Sequence, residues 1–208
     1  MRTRIKICGI TSPEDGVAAA LAGVDAIGLV FYDKSPRAVS LEQAQLICGA
    51  LPPFIQTVGL FVDADADAIR QTLQQVPIDM IQFHGDECSV DCGIFGRPYI
   101  KAITMHEGVK VEGFAATYRD AAGFLLDAHA DQARGGTGQS FDWSQFPQDV
   151  DKPLILAGGL TPENVFEAVR QTRPYAVDVS SGVEIDKGIK DAQKIIRFVE
   201  EVRRADAE

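Results

Sequence analysis

Residues 123–143 read GFLLDAHADQARGGTGQSFDW. An apolar run ends in Asp127, a polar stretch comes next, and a glycine-rich turn leads toward a short helix start at Phe141–Gln145. A carboxylate at the end of a buried strand usually serves chemistry or caps a helix. The same unit recurs along the chain: apolar run, special residue, glycine turn, capped helix. Such repetition gathers strand ends around one site, with Asp127 near its centre.

On either side of this stretch, β-rich runs occupy Arg4–Cys8, Asp25–Val30, Gln56–Phe61, Ile78–Phe83, Tyr99–Ala102, Ala122–Leu126, Pro153–Leu156 and Tyr175–Val179. Most are continuously apolar, as parallel strands covered on both faces require. Helical spacing places helices at Pro13–Leu21, Leu41–Gly49, Ala66–Gln75, Pro162–Gln171 and Lys190–Arg204. Ser12-Pro13-Glu14-Asp15 carries a cap, a proline for the first helical position and early acids, and Thr161-Pro162-Glu163-Asn164 repeats the design. Ser40-Leu41-Glu42-Gln43 fits a capping box. The connections at Glu87–Phe95, Glu107–Thr117 and Phe141–Gln145 are thin. Eight strands alternating with helical or loop crossovers point to one domain over residues 1–208, an α/β fold of the (β/α)8 TIM barrel type. A doubly wound open sheet is the alternative.

Composition supports a packed enzyme-sized core: 46% of the 208 residues are hydrophobic and 24% charged. No apolar run has the roughly 18 residues of a membrane span, and MRTRIKICGIT lacks a secretory h-region. The chain is therefore read as cytoplasmic, with no membrane partner. A net charge of −10 without a basic stripe argues against nucleic acid. The same field would repel an anionic ligand, so a phosphate must be held by local donors. Cys8, Cys48, Cys88 and Cys92 show neither a disulfide framework nor a completed zinc set, so no metal is expected.

In a barrel, catalytic groups come from the C-terminal ends of the strands and the loops behind them. That criterion selects Cys8 after the first run, His84 after the fourth, Asp127 after the sixth, Gly158-Gly159 after the seventh and Ser180-Ser181-Gly182 after the eighth. Cys8 is a nucleophile or base if a cation or backbone donors favour its thiolate, and otherwise a small core hydrophobe. Asp127, partly desolvated at the mouth, can act as a general acid; the plainer reading is a loop cap or a partner for Arg134. Loops after the seventh and eighth strands commonly form a phosphate site from backbone N–H groups, although glycines also simply make turns. Arg37, in YDKSPRAVS, can clamp a carboxylate or remain solvated. His84 can hydrogen-bond a substrate or satisfy a polar neighbour. Lys6 shares the strand parity of Cys8, and Asp178 that of Ser180, so both point inward and are expected to pair across the first and eighth strands. Asp178 is counted with Arg37 and His84 among the residues expected to meet substrate.

Six motifs in order, KICGIT at Lys6, GLVFYDKSPR at Gly28, QFHGDE at Gln82, GGTGQSFDW at Gly135, LAGGLTPENV at Leu156 and VDVSSGVE at Val177, resemble the phosphoribosylanthranilate isomerases of tryptophan biosynthesis. The resemblance covers nearly the whole chain and implies a (β/α)8 barrel without cofactor. It implies an Amadori rearrangement of N-(5'-phosphoribosyl)anthranilate to 1-(2-carboxyphenylamino)-1-deoxyribulose 5-phosphate. Carried over by motif, Asp127 would be the general acid, Cys8 the general base, and Arg37 would face the anthranilate carboxylate. Gly158, Gly159, Ser180, Ser181 and Gly182 would hold the phosphate. The stretch Asp131–Arg134 is read as filler in a lid, and no role falls on His129 or Asp131. The partner is a small molecule, and a monomer is expected.

Rival sugar-phosphate barrels fit less well. A histidine-pathway isomerase calls for an aspartate in place of Cys8, and a metal-dependent epimerase needs more histidines at strand ends than His84 alone. Indole-glycerol-phosphate synthase needs a catalytic lysine and glutamates that the strand ends do not offer, and the length excludes a fused synthase domain. A non-catalytic phosphate-binding barrel would keep the glycine loops and dispense with Cys8 and Asp127.

Overall fold

The computed structural model describes residues 2–106, 108–127 and 143–208. Eight parallel strands close into a barrel in chain order: β1 (Arg4–Cys8), β2 (Ala26–Val30), β3 (Gln56–Phe61), β4 (Met80–Phe83), β5 (Tyr99–Thr104), β6 (Gly123–Asp127), β7 (Leu154–Ala157) and β8 (Ala176–Val179). The open doubly wound sheet is excluded, because β1 pairs with both β2 and β8. Helices α1 (Pro13–Ala22), α2 (Leu41–Ala50), α3 (Ala66–Gln75), α4 (Ser89–Cys92), α5 (Val111–Thr117), α6 (Val165–Thr172) and α7 (Ala192–Ala207) come after strands around it.

Strand alternation divides the apolar residues into two layers. Ile5, Ile27, Phe61, Phe83, Phe124 and Val177 pack outward with helix residues such as Ile47, Ile69 and Phe198. Ile100, Ala102, Leu125, Ile155, Ala157 and Ala176 form a separate cluster inside the barrel, and Cys8, Val30 and Leu60 another. This two-sided burial is why the strands read as unbroken apolar runs.

The helix starts obey their caps. Ser12 Oγ accepts the Asp15 N–H at 3.1 Å, and Asp65 accepts that of Ala68 at 2.8 Å. Ser40 caps α2 through Gln43 N–H, but the box is one-sided, since the Gln43 amide reaches Thr11 O instead. α6 begins at Val165 rather than Pro162, because Thr161 Oγ1 and Asn164 Oδ1 cap a preceding turn through the N–H groups of Glu163 and Thr161. Lys190 is not helical either. A short hairpin, β9 (Glu184–Asp186) and β10 (Ile189–Lys190), takes it, and α7 starts behind Asp191, which accepts from Gln193 and Lys194. Between β6 and β7, the described residues include only one 3-10 turn, Trp143–Gln145. The expectations for His129, Asp131, Arg134 and the GGTG turn lie outside the described residues.

Lys6 stands opposite Asp178 in the β1–β8 register, and Lys6 Nζ donates to Asp178 Oδ1 at 2.9 Å, as the parity argument required. Both are buried. Removing one partner leaves an uncompensated charge and costs about 3–5 kcal/mol, whereas replacing both with apolar groups is often neutral. Lys6→Ala should accordingly lower stability by about that amount, and Lys6→Met with Asp178→Leu should recover most of it. Urea unfolding of the three proteins is the check.

Candidate active site

Above this pair, at the C-terminal end of the barrel, lies a cavity of about 420 Å³. Cys8, Arg37, His84, Asp127, Gly158, Gly159, Asp178, Ser180 and Ser181 all line it. Of the residues selected from sequence, Gly182 alone does not. It sits behind, where any Cβ would collide with the carbonyl oxygen of Leu160, so its contribution is to let the loop after β8 pack against the loop after β7. Gly158 and Gly159 have φ of 84° and 66°, the left-handed region where a side chain is costly. Backbone donors in that bend suit an anion better than the acidic surface does.

Cys8 occupies space that Gly28 leaves open: a Cβ at Gly28 would meet Cys8 Sγ at 2.9 Å and Lys6 Cε at 3.1 Å. Burial pushes the thiol above its ordinary pKa, and the ammonium groups of Lys6 and Lys190 pull against that without cancelling it. The resting side chain is therefore the thiol; the favouring cations expected from sequence are present but outweighed. Burial is the largest influence on Lys6 and opposes its charge; the charge of Asp178 and further interactions from Asp178 and Cys8 together outweigh it and keep the ammonium.

Arg37 is held by a partner the sequence did not suggest. Its Nε and Nη2 donate to Glu184 at 2.7 and 2.6 Å, a two-point clasp. Lys190 Nζ donates to the same carboxylate at 2.8 Å and to Ser180 O at 3.2 Å. The group Arg37–Glu184–Lys190 carries one net positive charge beside the loop after β8, which the global charge of −10 conceals. Gly9, at φ 72°, leaves room for the Arg37 chain. No local pattern could have paired Arg37 with Glu184, since 147 residues separate them.

His84 Nε2 lies 3.3 Å from Asp127 Oδ2, and His84 Nδ1 meets Gln82 Nε2 at 2.9 Å. Gln82 was missed, although a polar residue inside an apolar strand with the parity of His84 was a legible signal. The loop carrying His84 is tied down by Glu87, which accepts the N–H groups of Gly85 and Asp63 at 3.0 Å and the buried Lys101 ammonium at 3.2 Å.

A family model described as N-(5'phosphoribosyl)anthranilate (PRA) isomerase matches residues 5–201. A Pseudomonas aeruginosa protein named N-(5'-phosphoribosyl)anthranilate isomerase is 58% identical over 96% of this chain and 95% of its own. Its Pseudomonas syringae pv. syringae counterpart is 57% identical over 96% and 97%. Among solved structures, the Thermotoga maritima phosphoribosyl anthranilate isomerase superposes with a TM-score of 0.89 at 40% identity, covering 97% of this chain and 99% of its own. A second, similar at TM-score 0.86 and 38% identity with the same coverage, is the isomerase in complex with reduced 1-(o-carboxyphenylamino)-1-deoxyribulose 5-phosphate.

The Glu184 clasp has a pH signature. Burial raises the carboxyl pKa, but hydrogen bonds from Arg37 and Lys190 outweigh it and hold Glu184 below the ordinary carboxylate range. A depressed folded-state pKa gives stability that is present above the unfolded value, roughly 4.3, and lost as pH falls through the folded one. Glu184→Gln should be less stable near neutral pH and should lose less further stability on acidification into that range. Denaturation midpoints measured from neutral to acid pH test both halves.

Proposed function

The chain belongs to the N-(5'-phosphoribosyl)anthranilate isomerase family, and from that membership we propose how its cavity carries out the family reaction. The protein is an isomerase of tryptophan biosynthesis, converting N-(5'-phosphoribosyl)anthranilate to 1-(2-carboxyphenylamino)-1-deoxyribulose 5-phosphate. The observation that carries the residue assignment is the meeting of Asp127, Cys8, Arg37 and two glycine-bearing loops around one cavity. The complex described for the similar solved structure supports a small-molecule substrate of this kind.

The sugar phosphate docks on backbone donors of Gly158, Gly159, Ser180 and Ser181, with Lys190 adding charge from behind Ser180. Glu184 takes Nε and Nη2 of Arg37, so the edge bearing Nη1 is the one that meets the anthranilate carboxylate. Asp127, protonated, gives its proton to the ribose ring oxygen as the bond to C1' breaks, producing an iminium. That positive charge develops near Cys8 and favours its thiolate, the thiol proton leaving to solvent water, and the thiolate then takes the C2' proton. The resulting enolamine tautomerises to the ketone. Both steps are proton transfers, and the acid and the base need opposite pKa adjustments; burial at β1 favours the resting thiol, so the shift toward the thiolate comes from the iminium charge.

Lys6 and Asp178 order the floor beneath C2', with Asp178 also facing the cavity. Residues 1–208 act as one domain, and the working unit is the single chain, because every group in this scheme comes from one barrel. Among the described residues no helix is long and apolar enough to cross a membrane, in keeping with a cytoplasmic enzyme.

Cys8→Ala and Asp127→Ala should each lower kcat by about 10²–10⁴-fold while ligand binding changes little. Loss of anthranilate fluorescence from freshly prepared substrate reports turnover, and titration with the reduced product analogue reports binding. Retained turnover in either variant would remove that residue from its role.

A further inference from the structure

Gln82 sits inside the barrel wall, 1% exposed, on the cavity that holds Asp127. Its Nε2 approaches His84 Nδ1 at 2.9 Å, and its Oε1 is a buried oxygen without a hydrogen-bond partner among the described residues. In this orientation of the amide, an N–H aimed at Nδ1 requires a lone pair there, which places the ring proton on Nε2, facing Asp127 Oδ2 at 3.3 Å. In this arrangement His84 donates to a carboxylate, the form of Asp127 that cannot act as an acid.

The amide has a second orientation in the same space. Turned end for end, Oε1 faces Nδ1 and gains the donor it lacks, provided Nδ1 carries the proton. His84 Nε2 then offers a lone pair, which accepts a hydrogen bond from protonated Asp127. The two orientations differ by one proton taken from water. It binds Nδ1, the proton on Nε2 passes to Oδ2, and Asp127 is left as the carboxylic acid. His84, with 28% of its side chain exposed, is open to that water.

We propose that Gln82 is a positioning residue for this enzyme: by turning its carboxamide over, it couples the tautomer of His84 to the loading of Asp127 with the proton used in ring opening. The inference rests on Asp127 being the general acid. Among the described residues, Asp178 on β8 lies within electrostatic reach of both His84 and Asp127, its partner Lys6 stands beside it, and Cys8 on β1 lines the same cavity. Asp178 and Lys6 offset each other, which leaves the Gln82 orientation as the adjustable element.

Two variants test it. Gln82→Met removes both ends of the amide and should lower kcat at least ~10-fold, a part of what a full general acid supplies, with KM nearly unchanged. Gln82→Glu presents acceptors only, holds the proton on Nδ1, and should restore much of kcat while moving the alkaline limb of the kcat profile to higher pH. Nitrogen-15 NMR of the His84 ring, without substrate, should report Nε2–H in the wild type and Nδ1–H or the doubly protonated ring in Gln82→Glu. Equal loss in both variants, with an unmoved pH profile and an unchanged tautomer, would overturn the proposal and leave Gln82 a packing residue. Should wild-type turnover fail instead, the acid assignment falls, while the NMR comparison still decides whether Gln82 governs His84.

Discussion

The barrel closes where β1 meets β8, and at that seam Lys6 and Asp178 face each other inside the wall at 2.9 Å. Two charges in such a place are tolerable only as a pair. Their pairing agrees with the register of the closing strands, and the register sets the height at which each strand delivers its loop to the mouth. Cys8 stands two residues beyond Lys6 and Ser180 two beyond Asp178, so the proposed base and one proposed phosphate loop arrive there together. The ion pair therefore constrains the geometry of the site while also setting part of its electrostatics, since the Lys6 ammonium is among the groups that resist the burial penalty on Cys8.

The second constraint is the contrast between local and global charge. A chain with a net charge of −10 must accept a substrate bearing a phosphate and a carboxylate. In the proposed scheme it does so with short-range devices: left-handed glycines that turn backbone donors toward the ligand, and a buried lysine–glutamate–arginine group with one surplus positive charge. Long-range attraction is absent, so recognition depends on contacts made only when the ligand is seated. Glu184 does not defeat Arg37 in this design. By occupying one edge of the guanidinium it orients the other, at the cost of desolvating three charged groups together.

A third set of contacts leads to Asp127, the proposed acid. Glu87 gathers backbone N–H groups from the loops after β3 and β4 and is itself held by Lys101, so His84 emerges from a fixed base toward Asp127. Gln82 reaches the other ring nitrogen from within the strand. Asp127, at the end of an otherwise apolar strand, thus receives its directional control from β4, across the barrel mouth.

Much of this was legible in the chain itself. Unbroken apolar runs, glycine turns and serine or aspartate caps are local signals, because strand burial on two faces and the needs of helix N-termini act over a few residues. They specified eight strands, most helix starts, and the strand-end positions of Cys8, His84, Asp127 and the two glycine loops. Parity alone was enough to pair Lys6 with Asp178, since the closing strands of a barrel must be neighbours. What the tertiary structure decided was every relation between loops that share no sequence neighbourhood: Glu184 with Arg37, Lys190 behind Ser180, and Glu87 bridging two loops. The starts of α6 and α7 shifted for a local reason instead: Thr161, Asn164 and Asp191 cap the chain past Pro162 and Lys190. Local propensity acts through adjacent backbone, whereas charge pairing depends on distance in space, and that distance exists only once the barrel has closed.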